Sequence, residues 1–147
     1  MSKAYKAIEK FKNNFNCAQA VFSAYSADFG LDEAVACKTA CAFGAGMGRT
    51  GRTCGAVTGA FMVIGLARGM ASAQEKDAKE QTYRMTQSFI REFEKQHRSI
   101  ECREILGLDI STPEGLKAVK DKGLIKSVCV PCVRSAVEIV GKIVAES

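Results

Sequence analysis

Apolar residues recur at helical spacing along nearly all of this chain, and this periodicity constrains its fold more than any other feature. In the first predicted helix, for example, Tyr5, Ile8 and Phe11 share one face. No segment alternates apolar and polar residues with the period of two that is typical of a strand. The chain has only two prolines, and its 47% apolar and 25% charged residues are typical of a globular protein. We therefore predict an all-α fold.

Capping and termination residues divide the 147-residue chain into seven or eight helices within a single domain, 1–147. Asn16 and Asp32 are good N-caps, Gly30 is a stop, and Pro113 occupies a first helical position. A loop is predicted at 44–51, which holds four glycines in eight residues. The helices are expected near 2–13, 17–28, 32–43, 53–71, 74–98, 99–107, 113–123 and 127–145.

The fourth predicted helix, at 53–71, is apolar on nearly all sides, which is expected of a helix buried at the centre of a bundle. Gly55 and Gly59 are spaced by four residues, as are Gly65 and Gly69, so neighbouring helices are expected to approach its backbone closely. We predict a bundle built around this glycine-bearing helix. The same glycines would also suit a contact in a homodimer, and the sequence leaves that alternative open.

Charge distribution and hydropathy limit the classes of partner. The net charge is +5, but no run of five or six like charges occurs, so we expect no nucleic-acid binding. The N-terminus lacks the continuous apolar segment of a secretory signal. The uncharged segment 53–67 has fifteen residues, a length that no uncharged segment exceeds and that is below the roughly 18–20 a membrane-spanning helix needs. We therefore expect a cytoplasmic protein without membrane insertion.

Seven cysteines are unusual in such a chain, and four of them are placed alike. These four are Cys17, Cys54, Cys102 and Cys129, and each lies in or near the first turn of a predicted helix. Backbone N–H groups and the partial positive charge of a helix N-terminus favour a thiolate there. Thiols stay reduced in the cytoplasm, and an odd number of cysteines argues against a complete disulfide framework. We predict that the four cysteines converge on one electropositive site.

The remaining three cysteines are less informative. Cys132 lies three residues after Cys129 and completes a C-x-x-C pair. Cys37 and Cys41 lie four residues apart on one helix face, where helix geometry keeps them too far apart for an easy disulfide. We interpret Cys37 and Cys41 as packing residues, because cysteine often behaves as a small apolar residue.

Three motifs around these cysteines resemble the C_GCAxxG_C_C family, which is named after its four spaced cysteines. They are NCAQAV at 16–21, CGAVTG at 54–59 and CREILG at 102–107, and the resemblance covers nearly the whole chain. It implies an all-helical fold, a redox or metal role inferred from the cysteines, and genes that often lie beside transporter genes. The family's four cysteines, called the motif cysteines below, correspond to Cys17, Cys54, Cys102 and Cys129. The segment CVPC at 129–132 also offers Cys132 for the last position.

Three interpretations of the cysteines stay open. In the first, the motif cysteines bind a metal centre, and an iron–sulfur cluster for electron transfer or sensing is favoured over zinc because the ligands span 112 positions and four helices. In the second, no cofactor is bound, Cys129 attacks a disulfide and Cys132 resolves the mixed disulfide. In the third, the chain is a non-catalytic interaction module associated with a transporter. Neither the redox partner nor an enzymatic activity follows from the sequence.

Two further features have ordinary explanations. The segment 46–53, GMGRTGRT, matches phosphate- and dinucleotide-binding motifs in spacing only, because both motifs require a preceding strand. Arg49 and Arg52, near a predicted helix N-terminus, either hold an anion, lower the pKa of Cys54, or are solvated loop residues. His97, the only histidine, is predicted to be solvated near a helix C-terminus.

Overall fold

The computed structural model describes residues 2–146, and eight α-helices account for most of this part of the chain. They are α1 (Lys3–Lys12), α2 (Cys17–Ser26), α3 (Glu33–Ala40), α4 (Gly55–Arg68), α5 (Lys76–His97), α6 (Cys102–Leu106), α7 (Pro113–Asp121) and α8 (Val130–Glu146). The described residues contain no strand, only one isolated bridge between Thr53 and Glu101. The prediction of an all-α fold is confirmed.

The capping residues act where the sequence places them. Asn16 caps α2, Asp32 caps α3 and Thr112 caps α7, each accepting a hydrogen bond from a backbone N–H of the first turn. Gly30 and Gly107 end their segments in the left-handed conformation, with φ of 81° and 70°. Local hydrogen bonding at the helix ends therefore accounts for most of the observed boundaries.

Helix α4 lies at the centre of the molecule and packs against α2, α5 and α8. Gly59 shows why glycine is needed there, because a Cβ at this position would lie 2.8 Å from the carbonyl oxygen of Ala18 on α2. The prediction of close approach is wrong for Gly65, where a Cβ would meet no atom within 4 Å. One half of α4 thus carries the close contact between helices.

The predicted loop at 44–51 contains a left-handed helical turn. Five consecutive residues have φ between 55° and 70°: Ala45, Gly46, Met47, Gly48 and Arg49. We call Ala45–Arg49 the left-handed turn. It is held by the Gly46 carbonyl, which accepts from the Thr50 hydroxyl at 2.7 Å and from the Arg52 N–H at 2.9 Å. Since this conformation costs an L-residue about 1–2 kcal/mol, the turn is conformationally strained.

The last helix begins earlier than the sequence predicts. A π-helical turn, Ile125–Cys129, leads directly into α8, and the Ser127 N–H already donates to the Gly123 carbonyl at 3.1 Å. Ser127 is therefore not an N-cap, and Cys129 lies about one turn inside helical backbone. Of the helices in the described range, none combines the length and apolar character needed to cross a membrane.

Candidate functional site

A cavity of about 220 Å³ contains the cysteines that the sequence singles out. Five of the seven cysteines line it: Cys17, Cys54, Cys102, Cys129 and Cys132. They come from α2, the N-cap of α4, α6, the π-helical turn and α8. The structure thus brings all four motif cysteines, and Cys132 with them, to one place from distant parts of the chain.

A capping box positions Cys17 as the first residue of α2. The Asn16 side chain accepts from the Gln19 N–H, and the Gln19 side chain accepts from the Asn16 N–H, both at 2.9 Å. The same two side chains donate to the carbonyls of Cys41 at 2.8 Å and Cys37 at 3.0 Å. These bonds tie the start of α2 to the end of α3 and explain why Asn and Gln flank Cys17.

A short antiparallel bridge places Cys54 beside Cys102. The Cys54 N–H donates to the Ile100 carbonyl at 2.7 Å, and the Cys102 N–H donates to the Arg52 carbonyl at 2.6 Å. Gly46 of the left-handed turn packs on this pair, because a Cβ there would lie 2.7 Å from the Cys102 Cβ. Two helices therefore begin next to each other with a cysteine at each start.

His97 contacts the site, so the prediction that it is solvated is wrong. Its Nδ1 lies 3.7 Å from the Cys132 Sγ, and its Nε2 shares a hydrogen bond of 2.8 Å with the Ser135 hydroxyl. The ring also packs on Phe93, with 4.5 Å between ring centroids. Burial lowers the pKa of His97, so the ring is neutral at pH 7. No sequence feature indicated this contact, because His97 and Cys132 lie 35 residues apart.

The two cysteines interpreted as packing residues lie outside the cavity. Cys37 is half-buried, and its Sγ lies 3.8 Å from the Lys10 Nζ. Cys41 is exposed, which contradicts its interpretation as a packing residue. It follows the end of α3 and begins a short 3₁₀ turn, Cys41–Phe43. Cys41 is therefore a useful internal reference for the thiols of the cavity.

Comparison with known proteins identifies the chain at the level of a family. The family model described as "Putative redox-active protein (C_GCAxxG_C_C)" matches residues 15–143. The chain belongs to the C_GCAxxG_C_C family. The resemblance seen in its motifs is thereby confirmed, and so is the general redox role that the family description carries. No curated protein and no solved structure matches the chain.

Cys54 is the activated thiol of this C_GCAxxG_C_C protein. A hydrogen bond from the Cys132 thiol lowers the pKa of Cys54, and the Ala56 and Val57 N–H groups at the start of α4 act in the same direction. Together they outweigh burial, which opposes ionisation. The helix N-terminus therefore stabilises a thiolate at Cys54, as expected for a cysteine in this position.

The other cavity cysteines are held as neutral thiols. Burial, followed by repulsion from Cys54 when that thiol is ionised, raises the pKa of Cys17 to about 11 and that of Cys102 to about 12. Donation to Cys54, followed by burial, raises the pKa of Cys132. Burial also raises the pKa of Cys129, so the prediction that a helix start activates this thiol is wrong. Its position inside helical backbone removes the N-terminal stabilisation on which that prediction depended.

The cavity provides the donor atoms of a thiolate metal site. Thiolates are ligands for zinc and for iron–sulfur clusters. Between residues 2 and 146, however, no three His, Cys, Asp or Glu side chains are grouped in a way that could hold a metal ion. The five sulfurs share a cavity without being gathered around one point.

Proposed function

We propose that this protein transfers or senses electrons through an iron–sulfur cluster held in the cysteine cavity. The observation that carries the proposal is the arrival of four motif cysteines, from four separate elements, in one cavity. These cysteines, Cys17, Cys54, Cys102 and Cys129, would be the thiolate ligands. When bound, the cluster would supply the electron-carrying centre, which the side chains of this chain do not provide by themselves.

The electrostatics of the cavity support this proposal. Only Cys54 is favoured as a thiolate, because each added negative charge in a buried cavity opposes the next. A positively charged iron core would remove that opposition, and its binding would release the protons of the other thiols. The Ala56 and Val57 N–H groups that favour the Cys54 thiolate would also raise the reduction potential by stabilising charge on a ligand sulfur.

Within this proposal we prefer a cluster to a single zinc ion. Tetrahedral zinc bonds of about 2.3 Å bring the ligand sulfurs to within about 3.8 Å of each other. No such compact group occurs in the part of the chain that the structure describes. A cluster distributes its ligands over several irons and therefore accepts sulfurs that lie further apart.

The proposal also includes the cellular compartment of the protein and its redox partner. All seven cysteines are free thiols in the structure, which suits a reducing compartment such as the cytoplasm. We place a separate protein partner on the other side of the electron transfer. The link to transporter genes that the family resemblance implies makes a transporter-associated protein the first partner to test.

Anaerobic reconstitution tests the cluster. The purified protein is incubated with ferrous iron and sulfide under reducing conditions, desalted, and analysed for iron, acid-labile sulfide, absorption and electron paramagnetic resonance. We expect a coloured protein that bleaches on reduction with dithionite. A protein that retains neither iron nor sulfide overturns the proposal, and one that purifies with stoichiometric zinc replaces it with a structural zinc site.

Serine variants show whether the cavity holds the cluster. Cys54→Ser and Cys102→Ser are expected to lose most of the bound iron, because each removes a ligand sulfur. Cys41→Ser is the matched control, since Cys41 is exposed and outside the cavity. Comparison of Cys129→Ser with Cys132→Ser decides which cysteine of CVPC is the fourth ligand. Equal iron content in Cys54→Ser and Cys41→Ser would contradict the proposed ligands.

A dithiol function is the second candidate, and one observation favours it with a different pair from the one predicted. Cys54 has the lowered pKa and Cys132 donates to it, whereas the pKa of Cys129 is raised. The Cys54 thiolate would attack a partner disulfide and release one partner thiolate. Cys132, after losing its proton, would then attack the Cys54 sulfur and release the second, so that the partner is reduced and Cys54–Cys132 is oxidised.

Oxidation of the metal-free protein distinguishes the two pairs. After treatment with diamide, the disulfides are mapped by mass spectrometry of peptides digested without reduction. The dithiol function predicts a Cys54–Cys132 bond that dithiothreitol reverses. A Cys129–Cys132 bond would restore the pair that the sequence suggested. Absence of both bonds and of a cluster would favour the interaction module.

A further inference from the structure

The wall of the cysteine cavity is largely apolar away from the thiols. Much of it comes from α6, α7 and the segments that flank them, where a small apolar cluster separate from the main core has formed. The apolar residues of the cavity wall include Ile105, Leu106, Ile110, Leu116, Val119 and Ile125. No carboxylate among the described residues lines this cavity. Such a wall is suited to the hydrocarbon part of a small molecule.

Two cations border the same cavity without a carboxylate partner. Arg49 of the left-handed turn and Lys120 of α7 both line the cavity and are exposed. Neither forms an ion pair with any residue that the structure describes. Nearby cations differ, because Arg103 pairs with Asp109 and Lys117 pairs with Asp121. Arg49 and Lys120 are therefore available to bind an anion at the edge of the cavity.

We infer that the cavity is a binding site for a small molecule that has an apolar body and one anionic group, such as a carboxylate. The apolar wall would hold the body, and Arg49 and Lys120 would bind the anion at the exposed edge. Binding itself depends on these residues and not on a cluster. Its meaning as the substrate or ligand of a redox site rests on the proposed function.

The size of the cavity limits the ligand. In the metal-free protein about 220 Å³ is open to a ligand, which lies below the range of roughly 300–1,000 Å³ that is usual for drug-sized ligands. A medium-chain carboxylate is therefore a better probe than a large aromatic molecule. Octanoate, 1-octanol and octylamine have chains of one length and differ in the charge of the head group, so they separate charge recognition from burial of the hydrocarbon.

Calorimetric titration of the metal-free, reduced full-length chain at low ionic strength tests this inference. We expect octanoate to bind at least about tenfold more tightly than 1-octanol, and octylamine to bind most weakly. Arg49→Gln and Lys120→Gln should each weaken octanoate binding about three- to tenfold and leave 1-octanol binding unchanged. Equal binding of octanoate and 1-octanol would overturn the inference.

Two other cations of the chain provide matched control variants. Arg52→Gln removes an exposed arginine close to Arg49 that does not line the cavity, and Lys117→Gln removes the neighbouring lysine of α7. Both should retain the octanoate affinity of the unmodified chain. A loss as large as in Arg49→Gln would indicate a general charge effect and would contradict a defined anion site.

Alkylation locates the ligand and keeps this inference separate from the cluster. Octanoate should protect Cys54, which lines the cavity, from N-ethylmaleimide, and should leave the exposed Cys41 reactive. Octanoate binding without protection of Cys54 would place the ligand elsewhere and overturn the inference. Because the protein in this experiment is metal-free, failure of iron reconstitution would not change its outcome.

Discussion

Cys54 differs from the other cavity cysteines in what surrounds its sulfur. It receives a hydrogen bond from Cys132 and lies at the N-terminus of a buried helix, whereas Cys17 and Cys102 have raised pKa values of about 11 and 12. One buried thiol with a lowered pKa among thiols with raised pKa values is an arrangement suited to a nucleophile or a first metal ligand. The chemistry of the site therefore depends on contacts of individual residues.

The first prediction concerns the ionisation of Cys54. In the reduced, metal-free protein, iodoacetamide should modify Cys54 before any other cavity cysteine at pH 7, because the thiolate is the reacting species. Cys132→Ala should move the pH midpoint of this reaction upward, since it removes the hydrogen bond that stabilises the thiolate. Peptide mass spectrometry between pH 6 and 10 measures the midpoint. Cys129→Ala is the control, and an unchanged midpoint in Cys132→Ala would contradict the prediction.

The second prediction compares two glycines of α4. Gly55→Ala should lower the free energy of unfolding by about 1–3 kcal/mol, because its Cβ collides with the Cys17 sulfur and lies 3.1 Å from the Phe43 carbonyl oxygen. Gly65→Ala, on the same helix with no atom within 4 Å, should raise it by about 0.5–1 kcal/mol. Urea denaturation measures both. Equal effects would mean that the close contact at Cys17 is absent.

At the scale of elements, the left-handed turn is the most unusual part of the fold. It packs Gly46 against Cys102 and brings Arg49 to the cavity, so its strained backbone serves the site directly. The cost is concentrated in the residues that are not glycine. Strain at functional positions persists only where the surrounding structure holds it, here through the hydrogen bonds to the Gly46 carbonyl.

The third prediction measures this strain. Met47→Gly should raise the free energy of unfolding by about 1 kcal/mol, because glycine adopts a φ of 70° without steric cost. Met70→Gly is the matched control, since both methionines are 37% exposed and Met70 is not in the left-handed region. It should be neutral or destabilising. Thermal unfolding of the two variants decides the matter, and stabilisation of Met70→Gly as large as that of Met47→Gly would contradict the explanation.

At the scale of the whole molecule, His97 couples pH to the stability of the bundle. It is the only histidine of the chain, and it joins α5 to α8 through Ser135 and Cys132. Burial lowers its pKa below the ordinary value of 6.5, so protonation favours the unfolded chain. The stability that His97 contributes is present above pH 6.5 and is lost as the pH falls through the lowered pKa of the folded state.

The fourth prediction follows from this coupling. The free energy of unfolding of the metal-free protein should decrease between pH 7.5 and pH 5, a range in which ordinary carboxylates stay ionised. His97→Asn should flatten this dependence while lowering the stability at pH 7.5, because the contact with Ser135 is lost. Urea denaturation at several pH values measures both effects. A slope that persists in His97→Asn would assign the dependence to other groups.

Local patterns in the sequence were sufficient to predict the helical elements, the ends of most of them, and the cysteines that define the family. Asn16, Asp32, Thr112 and Gly107 act through hydrogen bonds or backbone conformations within a few residues of themselves, so local patterns predict their roles. Because these patterns are local, they also explain why the start of the last helix and the conformation at 44–51 were predicted incorrectly or not at all. No residue near Ser127 indicates that helical backbone already begins at Ile125, and glycine spacing at 44–51 predicts a loop without predicting its left-handed conformation.

Three properties follow only from the folded arrangement: the lowered pKa of Cys54, the cations that line the cavity, and the contact between His97 and Cys132. These properties arise from burial and from contacts between residues far apart in the chain. A lowered pKa at Cys54 needs the Cys132 thiol, which lies 78 positions later, in addition to a local helix N-terminus. Cys129 shows the opposite case, where a plausible local pattern is overruled by burial among other thiols.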